Sequence, residues 1–160
     1  MSNYEFSFSD LGIIHLETQQ KVLLGMTKNE VENILGQGAK EGLYHNYSGL
    51  KVFYVNDELV TIKIENEQVA KQFSLDRNIN IGDSRDQVQK AYGAPTYKKY
   101  SWETHAFAVE NNNVEYLDFD GFQSSDLFNT NTITFVYKDK KNKIESINIA
   151  NYYYGYQYGE

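Results

Sequence analysis

The stretch most suggestive of chemistry in this 160-residue chain is YLDFDG at 116–121. Asp118 and Asp120, two apart and followed by glycine, are spaced as a carboxylate nucleophile and its acid–base neighbour would be for ester or phosphoester hydrolysis. Such a pair belongs at the end of the first strand of a parallel α/β domain, and only 39 residues (160 − 121) follow it here. The plainer reading is a polar strand end running into a loop. Asp118, Asp120, Ser124 and Asp126 are rich in oxygen, yet their spacing misses the EF-hand pattern and lacks its closing glutamate. His15, His45 and His105 have no second ligand at helical or hairpin spacing, so they read as surface or strand histidines. No nucleophile elbow orders the serines. The glycine pairs mark helix stops and form no phosphate-cradling loop. With no cysteine in the chain, disulfides, thiolate metal sites and a cysteine nucleophile are excluded. The residues therefore indicate no catalytic set, no metal and no cofactor.

Aromatic residues are the unusual part of the composition, with 14 Tyr and 9 Phe. Tyrosine suits strands, and many of these rings would pack at sheet edges in any antiparallel fold. They also suit a protein-binding face, because Tyr and Trp give large contact area with few rotatable bonds. Tyr44, Tyr47, Tyr54, Tyr100, Trp102, Tyr152 and Tyr154 are the candidate partner-binding residues, and Tyr152 and Tyr154 are expected to join Trp102 and some of the other four in one contiguous exposed patch. The same residue types would also serve a carbohydrate-binding face.

The elements that must position them centre on a stretch used twice. Residues 22–38 read VLLGMTKNEVENILGQG and residues 79–95 read INIGDSRDQVQKAYGAP. At a shift of 57 (82 − 25), Gly25, Thr27, Val31 and Gly36 fall on Gly82, Ser84, Val88 and Gly93. Thr27 and Ser84 are N-cap residues, and Glu30 and Gln87 complete capping boxes three positions on. Val31, Ile34 and Leu35 share one helical face, as do Val88, Ala91 and Tyr92. Gly36 and Gly93 stand where a left-handed C′ residue ends a helix. Helices near 27–35 and 84–92 are too short to persist without packing.

Around them lie strand signals. Tyr4, Phe6 and Phe8 alternate with polar residues, and KVFYVNDELVTIKIE reads as a hairpin turning at Asn56-Asp57. TYKKYSWETHAFAVE and VEYLDFD are strand-like about an Asn111-Asn112-Asn113 turn, and GFQSSDLFNTN reads as a loop. TITFVYKDKKNKIESINIANYYY is a further hairpin with a basic turn at Lys138 to Lys143. Ile147 and Ile149 share one face of its second strand. If that strand runs on, Asn148, Tyr152 and Tyr154 take the other face. The order predicts an α+β fold, with tandem helix-plus-antiparallel-meander repeats forming one curved sheet backed by short helices on one face. The repeats divide at 1–70, with an N-terminal strand, and 71–160, as one continuous domain sharing the sheet.

Gly25, Met26, Thr27, Val31, Leu35 and Gly36, with Gly82, Ser84, Val88, Gly93 and Pro95 in the second copy, resemble the β-lactamase inhibitory protein and BamE-like superfamily. The tandem arrangement is more similar to the inhibitory members than to the single-copy BamE type. The resemblance implies two helical units backing a curved sheet whose concave face grips a protein target. Asp83 departs from the apolar residue usual at its position.

The expected function is a non-enzymatic protein-binding module of inhibitor or immunity type, occluding a partner protein with an aromatic, acidic sheet face. The alternatives are an envelope scaffold or assembly factor and a hydrolase using Asp118 and Asp120. A net charge of −7 argues against nucleic acid and leaves open a basic protein partner, such as a toxin or enzyme. No run approaches the ~18 apolar residues of a membrane span. The N-terminal MSNYEFSFSDLG shows no signal-peptide pattern, which places the chain as it stands in the cytoplasm, or in the envelope or outside the cell if an export signal precedes it.

Overall fold

The structure, a computed structural model, describes residues 4–138 and 142–158, without the side chains of 156–158. Residues 139–141 of the expected basic turn at Lys138 to Lys143 lie outside the described residues. The chain runs β1 (Gly12–His15), β2 (Gln20–Leu23), α1 (Lys28–Leu35), β3 (Ala39–Glu41), β4 (Tyr44–Tyr47), β5 (Leu50–Val55) and β6 (Glu58–Ile64). It continues with α2 (Glu67–Ala70), β7 (Phe73–Ser74), α3 (Arg85–Tyr92), β8 (Tyr97–Lys99), β9 (Trp102–Glu110) and β10 (Asn113–Leu117). The last elements are α4 (Phe119–Gln123), β11 (Thr130–Tyr137), β12 (Ile144–Asn151) and α5 (Tyr152–Tyr158). This is an α+β fold of antiparallel sheets and short helices.

Both capping boxes form. Thr27 accepts from the Glu30 N–H at 3.2 Å, and the Thr27 N–H donates to the Glu30 carboxylate at 3.1 Å. Ser84 and Gln87 make the same reciprocal pair at 3.1 and 2.8 Å. A backbone clamp then fixes each helix start to a hairpin. Gly25 N–H donates to Leu59 O and Leu59 N–H to Met26 O, both at 2.8 Å. Gly82 N–H donates to Ile144 O and Ile144 N–H to Asp83 O, both at 2.9 Å. The exchange of Met26 for Asp83 keeps one function, because each side chain accepts from the backbone N–H three residues earlier, Leu23 or Asn80. The helix stops differ from expectation. Gly36 and Gly93 have φ of 80° and 81° but ψ of −176° and −162°, so the chain leaves each helix extended, and not through a left-handed turn.

A nine-stranded sheet has the order β10-β9-β11-β12-β6-β5-β4-β3, with β8 pairing beside β10 on β9. One face of it carries Val52, Ile62, Ile64, Ile133, Phe135, Ile147 and Ile149, all buried. Val31 of α1 and Val88 and Tyr92 of α3 join that same core, so these two helices cover one face. The hairpin turn at Asn56 and Asp57 takes positive φ at both residues, as the expected two-residue turn requires.

The expected single sheet is corrected, because β2, β1 and β7 form a separate three-stranded sheet. Ile13, Val22 and Phe73 turn its apolar side into the main core. The expected strand at Tyr4 to Phe8 is reduced to one bridge, Phe6 to Val114, followed by a 3-10 turn at Phe8–Asp10. Arg77 holds this segment down. Its Nε lies 2.7 Å from Asp10, which is 3% exposed, and its other nitrogens donate to the carbonyls of Ala91 and Glu5. Nor are all helices on one face, since α5 folds back until a Cβ on Gly155 would sit 3.2 Å from that of Ala150, on the opposite side.

Thr27→Ala and Ser84→Ala should each lower stability by about 1 kcal/mol, the cost of an unfilled N-cap. Urea melts with unchanged midpoints would show that the hydroxyls do not cap.

Candidate functional site

Strand register decides which side chains face away from the helices. Tyr97 pairs with Thr104, Thr104 with Thr134, Thr134 with Asn148, and Asn148 with Lys63, giving one row across four neighbouring pairings. The adjoining rows contain Trp102 opposite Val136, and Ala106 opposite Thr132, which faces Ala150. Because side chains alternate along a strand, these residues lie on the face opposite Ile133, Phe135, Ile147 and Ile149.

A groove of about 380 Å³ runs over this face. Its floor is Thr104, Thr132, Thr134 and Asn148, with Val136 and Ala150 between them. The Thr104 and Thr134 hydroxyls lie 2.9 Å apart and share a hydrogen bond. The rim is a chain of rings. Trp102 meets Tyr97 edge-on at 5.3 Å, Tyr97 stacks on Phe122 of α4 at 5.2 Å, and Phe122 meets Tyr152 of α5 at 4.9 Å. Among the described residues, none that lines the groove carries a charge. The described lining is therefore not acidic, and its Thr104–Thr134–Asn148 row continues into Lys63 and Lys51.

The seven candidate aromatics do not form one patch. Trp102 and Tyr152 line the groove. Tyr44 shares the same sheet face some strands away, with its ring 6.0 Å from Phe53 and the Lys63 ammonium 5.2 Å above it. Tyr100 is 79% exposed on the turn between β8 and β9. Tyr154 reaches a second cavity of about 300 Å³ with Phe128, on the other side of α5. Tyr47 and Tyr54 are corrections. Tyr47 is 3% exposed beneath α1, donating to Glu32 at 2.8 Å and bonded to the Tyr54 hydroxyl at 2.9 Å. Burial pushes both phenols upward in pKa, and the Tyr47 hydrogen bond holds the Glu32 carboxyl below its usual range. Tyr47 sits on the covered face because it pairs with Leu50, a core position. Tyr152 and Tyr154 reach their places from a helix, not from an extended β12.

Thr104, Thr132 and Thr134 were not singled out in the sequence. Their signal is the alternation in TNTITF, where Thr132 and Thr134 interleave with Ile133 and Phe135.

The other candidates resolve into structural roles. Asp118 caps α4, accepting from Gly121 N–H at 2.8 Å, and Asp126 accepts from Phe128 N–H at 3.0 Å. His15 bonds Thr18 at 3.0 Å, and His45 is half-buried against Tyr54. Among the described residues no three His, Asp or Glu side chains converge as metal ligands. Behind the groove, Glu103 is fully buried, accepting from Arg85 at 2.8 Å and from the Tyr137 hydroxyl at 3.2 Å. His105, fully buried between Tyr92 and Phe135, has neither ring nitrogen hydrogen-bonded.

No protein-family profile, curated protein or solved structure matches this chain.

Burial pushes the His105 imidazole down from 6.5 to about 4. The folded value lies below the unfolded one, so the native state binds fewer protons across this window. The stabilisation is complete above pH 6.5 and is lost as pH falls through about 4. At 1.36 kcal/mol per unit it amounts to roughly 3 kcal/mol. Urea melts at neutral and acid pH should show this slope in the wild type and its removal in His105→Leu. Equal slopes would contradict the assignment.

Proposed function

We propose that this chain is a non-enzymatic protein-binding module of inhibitor or immunity type. It holds its partner on the face of the nine-stranded sheet opposite α1 and α3. The observation that carries the reading is the groove itself, where Trp102, Tyr97 and Tyr152 stand around a neutral hydroxyl and amide floor. Aromatic anchors in a recess are the usual centre of a protein–protein contact. Among the described residues, the groove lining holds no carboxylate, histidine or lysine to act as an acid, a base or a nucleophile.

The two helical units are read as copies of one ancestral unit. In support, positions 57 apart make corresponding contacts: Gly25 and Gly82, Met26 and Asp83, Thr27 and Ser84. The resemblance to the β-lactamase inhibitory protein and BamE-like superfamily points toward the same use of the sheet. Among the described residues no helix is long and apolar enough to cross a membrane. The net charge of −7 acts on encounter more than on the groove contact, so association with a basic partner is faster at low salt.

The test is affinity purification from the source cell, comparing wild type with a Trp102→Ala, Tyr152→Ala double variant and with Tyr100→Ala. The double variant should lose the partner that wild type and Tyr100→Ala recover. With that partner in hand, truncating one central ring should cost about 2 kcal/mol or more of affinity. Equal recovery by all three proteins would remove the groove from the interface.

A further inference from the structure

A second cleft, of about 300 Å³, lies beyond α5, where β6 and β11 begin and β12 ends. Its deep wall is apolar: Leu11 and Leu59 are buried, and Leu24 packs on the same core. Three rings stand around it, Phe8, Phe128 and Tyr154. Asn151, the last residue of β12, holds two of them in place. Its side-chain amide donates to Phe128 O at 2.8 Å, and its Oδ1 accepts from the Tyr153 and Tyr154 N–H groups at 3.1 and 3.5 Å. Phe128 stacks on Tyr153 at 4.0 Å and is still 56% exposed.

A single carboxylate stands at this cleft. Among the described residues Glu58 is the only charged side chain in the lining; it is exposed and enters no ion pair. Lys28, next to the bridge between Thr27 and Glu58, directs its ammonium to Glu32 at 4.0 Å. A carboxylate above an apolar wall and open ring faces is complementary to a cation carried on an apolar stem. Among side chains arginine fits this best. Its guanidinium is always charged, forks onto a carboxylate and stacks on aromatic rings. The net charge of −7 draws such a group in.

We propose that the cleft receives an arginine side chain of the partner protein. Its guanidinium pairs with Glu58 and packs on Phe128, while its methylenes lie along Leu24 and Leu59. This rests on the reading that the chain binds a protein, and it names one anchor of that partner. Tyr152 lines the groove and Tyr154, two residues on, lines the cleft. A partner lying across α5 therefore engages both.

Acetyl-argininamide would be titrated into the intact protein and followed by backbone amide NMR shifts. Two controls run beside it: acetyl-citrullinamide, its neutral isostere, and butylguanidine, the side chain without peptide groups. The expected result is a saturable shift at the Glu58, Leu59, Phe128 and Tyr154 amides with the arginine probe and none with citrulline. Added salt should weaken it, because the charge pair is open to solvent. Glu58→Gln should weaken binding about tenfold and Phe128→Ala about threefold, whereas Tyr100→Ala should leave it unchanged. Circular dichroism melts would confirm that each variant folds.

The absence of a saturable shift with acetyl-argininamide would overturn the proposal, as would equal binding of acetyl-citrullinamide or unchanged affinity in folded Glu58→Gln. Tighter binding of butylguanidine than of acetyl-argininamide would also overturn it, by assigning the cleft to a free small cation. None of these results bears on the groove, whose own test is the Trp102→Ala, Tyr152→Ala double variant. Recovery of the partner by that double variant but not by Glu58→Gln would support the cleft and count against the groove.

Discussion

The ion pair between Glu103 and Arg85 governs how the second half of the molecule is set. Glu103 has no solvent exposure, and a carboxylate removed from water is tolerated only when charge and hydrogen bonds surround it. Arg85 supplies the charge from the first position of α3, the Tyr137 hydroxyl supplies a second donor, and the guanidinium lies 4.2 Å over the Tyr137 ring. Three elements are thereby locked at one point: α3, β9 and β11. Glu103 sits between Trp102 and Thr104 on the strand, so whatever fixes its side chain on one face fixes theirs on the other. The groove inherits its geometry from a charge buried behind it.

The first half solves the corresponding problem with opposite placement. There the carboxylate, Glu32, is on the helix, and the strand supplies Tyr47, backed by Tyr54. No arginine takes part in the hydrogen bonds of that cluster. Both arrangements seat a helix of eight residues on a sheet through a carboxylate, Glu32 of α1 meeting Tyr47 in one and Arg85 of α3 meeting Glu103 in the other. A helix this short has little stability of its own, so one anchored side chain and one capped end decide where it lies.

Local signals made the helices and hairpins legible. Thr27 with Glu30, Ser84 with Gln87, and Asn56-Asp57 each act within a few residues, and each does in the fold what its chemistry requires. The groove was not legible in the same way. Trp102 and Tyr152 were visible as candidates, but Tyr97, Thr104, Thr132 and Thr134 meet only through pairings among β8, β9 and β11, and no single segment records those. Tyr47 was misplaced because facing depends on partner register, which seats it opposite Leu50 in the core. The C-terminal tyrosines were misplaced because an extended β12 and a turn into α5 carry the same aromatic-rich sequence. Glu103 gave no warning, since a buried charge looks like any exposed one until its partner is known.

The middle of the large sheet has a consequence for assembly. β6 and β12 pair Ile64 with Ile147 and Thr61 with Ala150, residues 83 and 89 apart in the chain (147 − 64 and 150 − 61). The hairpins on either side join residues far closer in sequence, and closing a longer loop costs more chain entropy. Topologies built this way favour local pairing before distant pairing. The order expected here is two separate meanders first, then a zipper along the central seam. The strands beneath the groove, β9, β11 and β12, all lie in the later meander. Its floor is built within one nascent half, and Asn148 and Ala150 at its border carry it up to the seam.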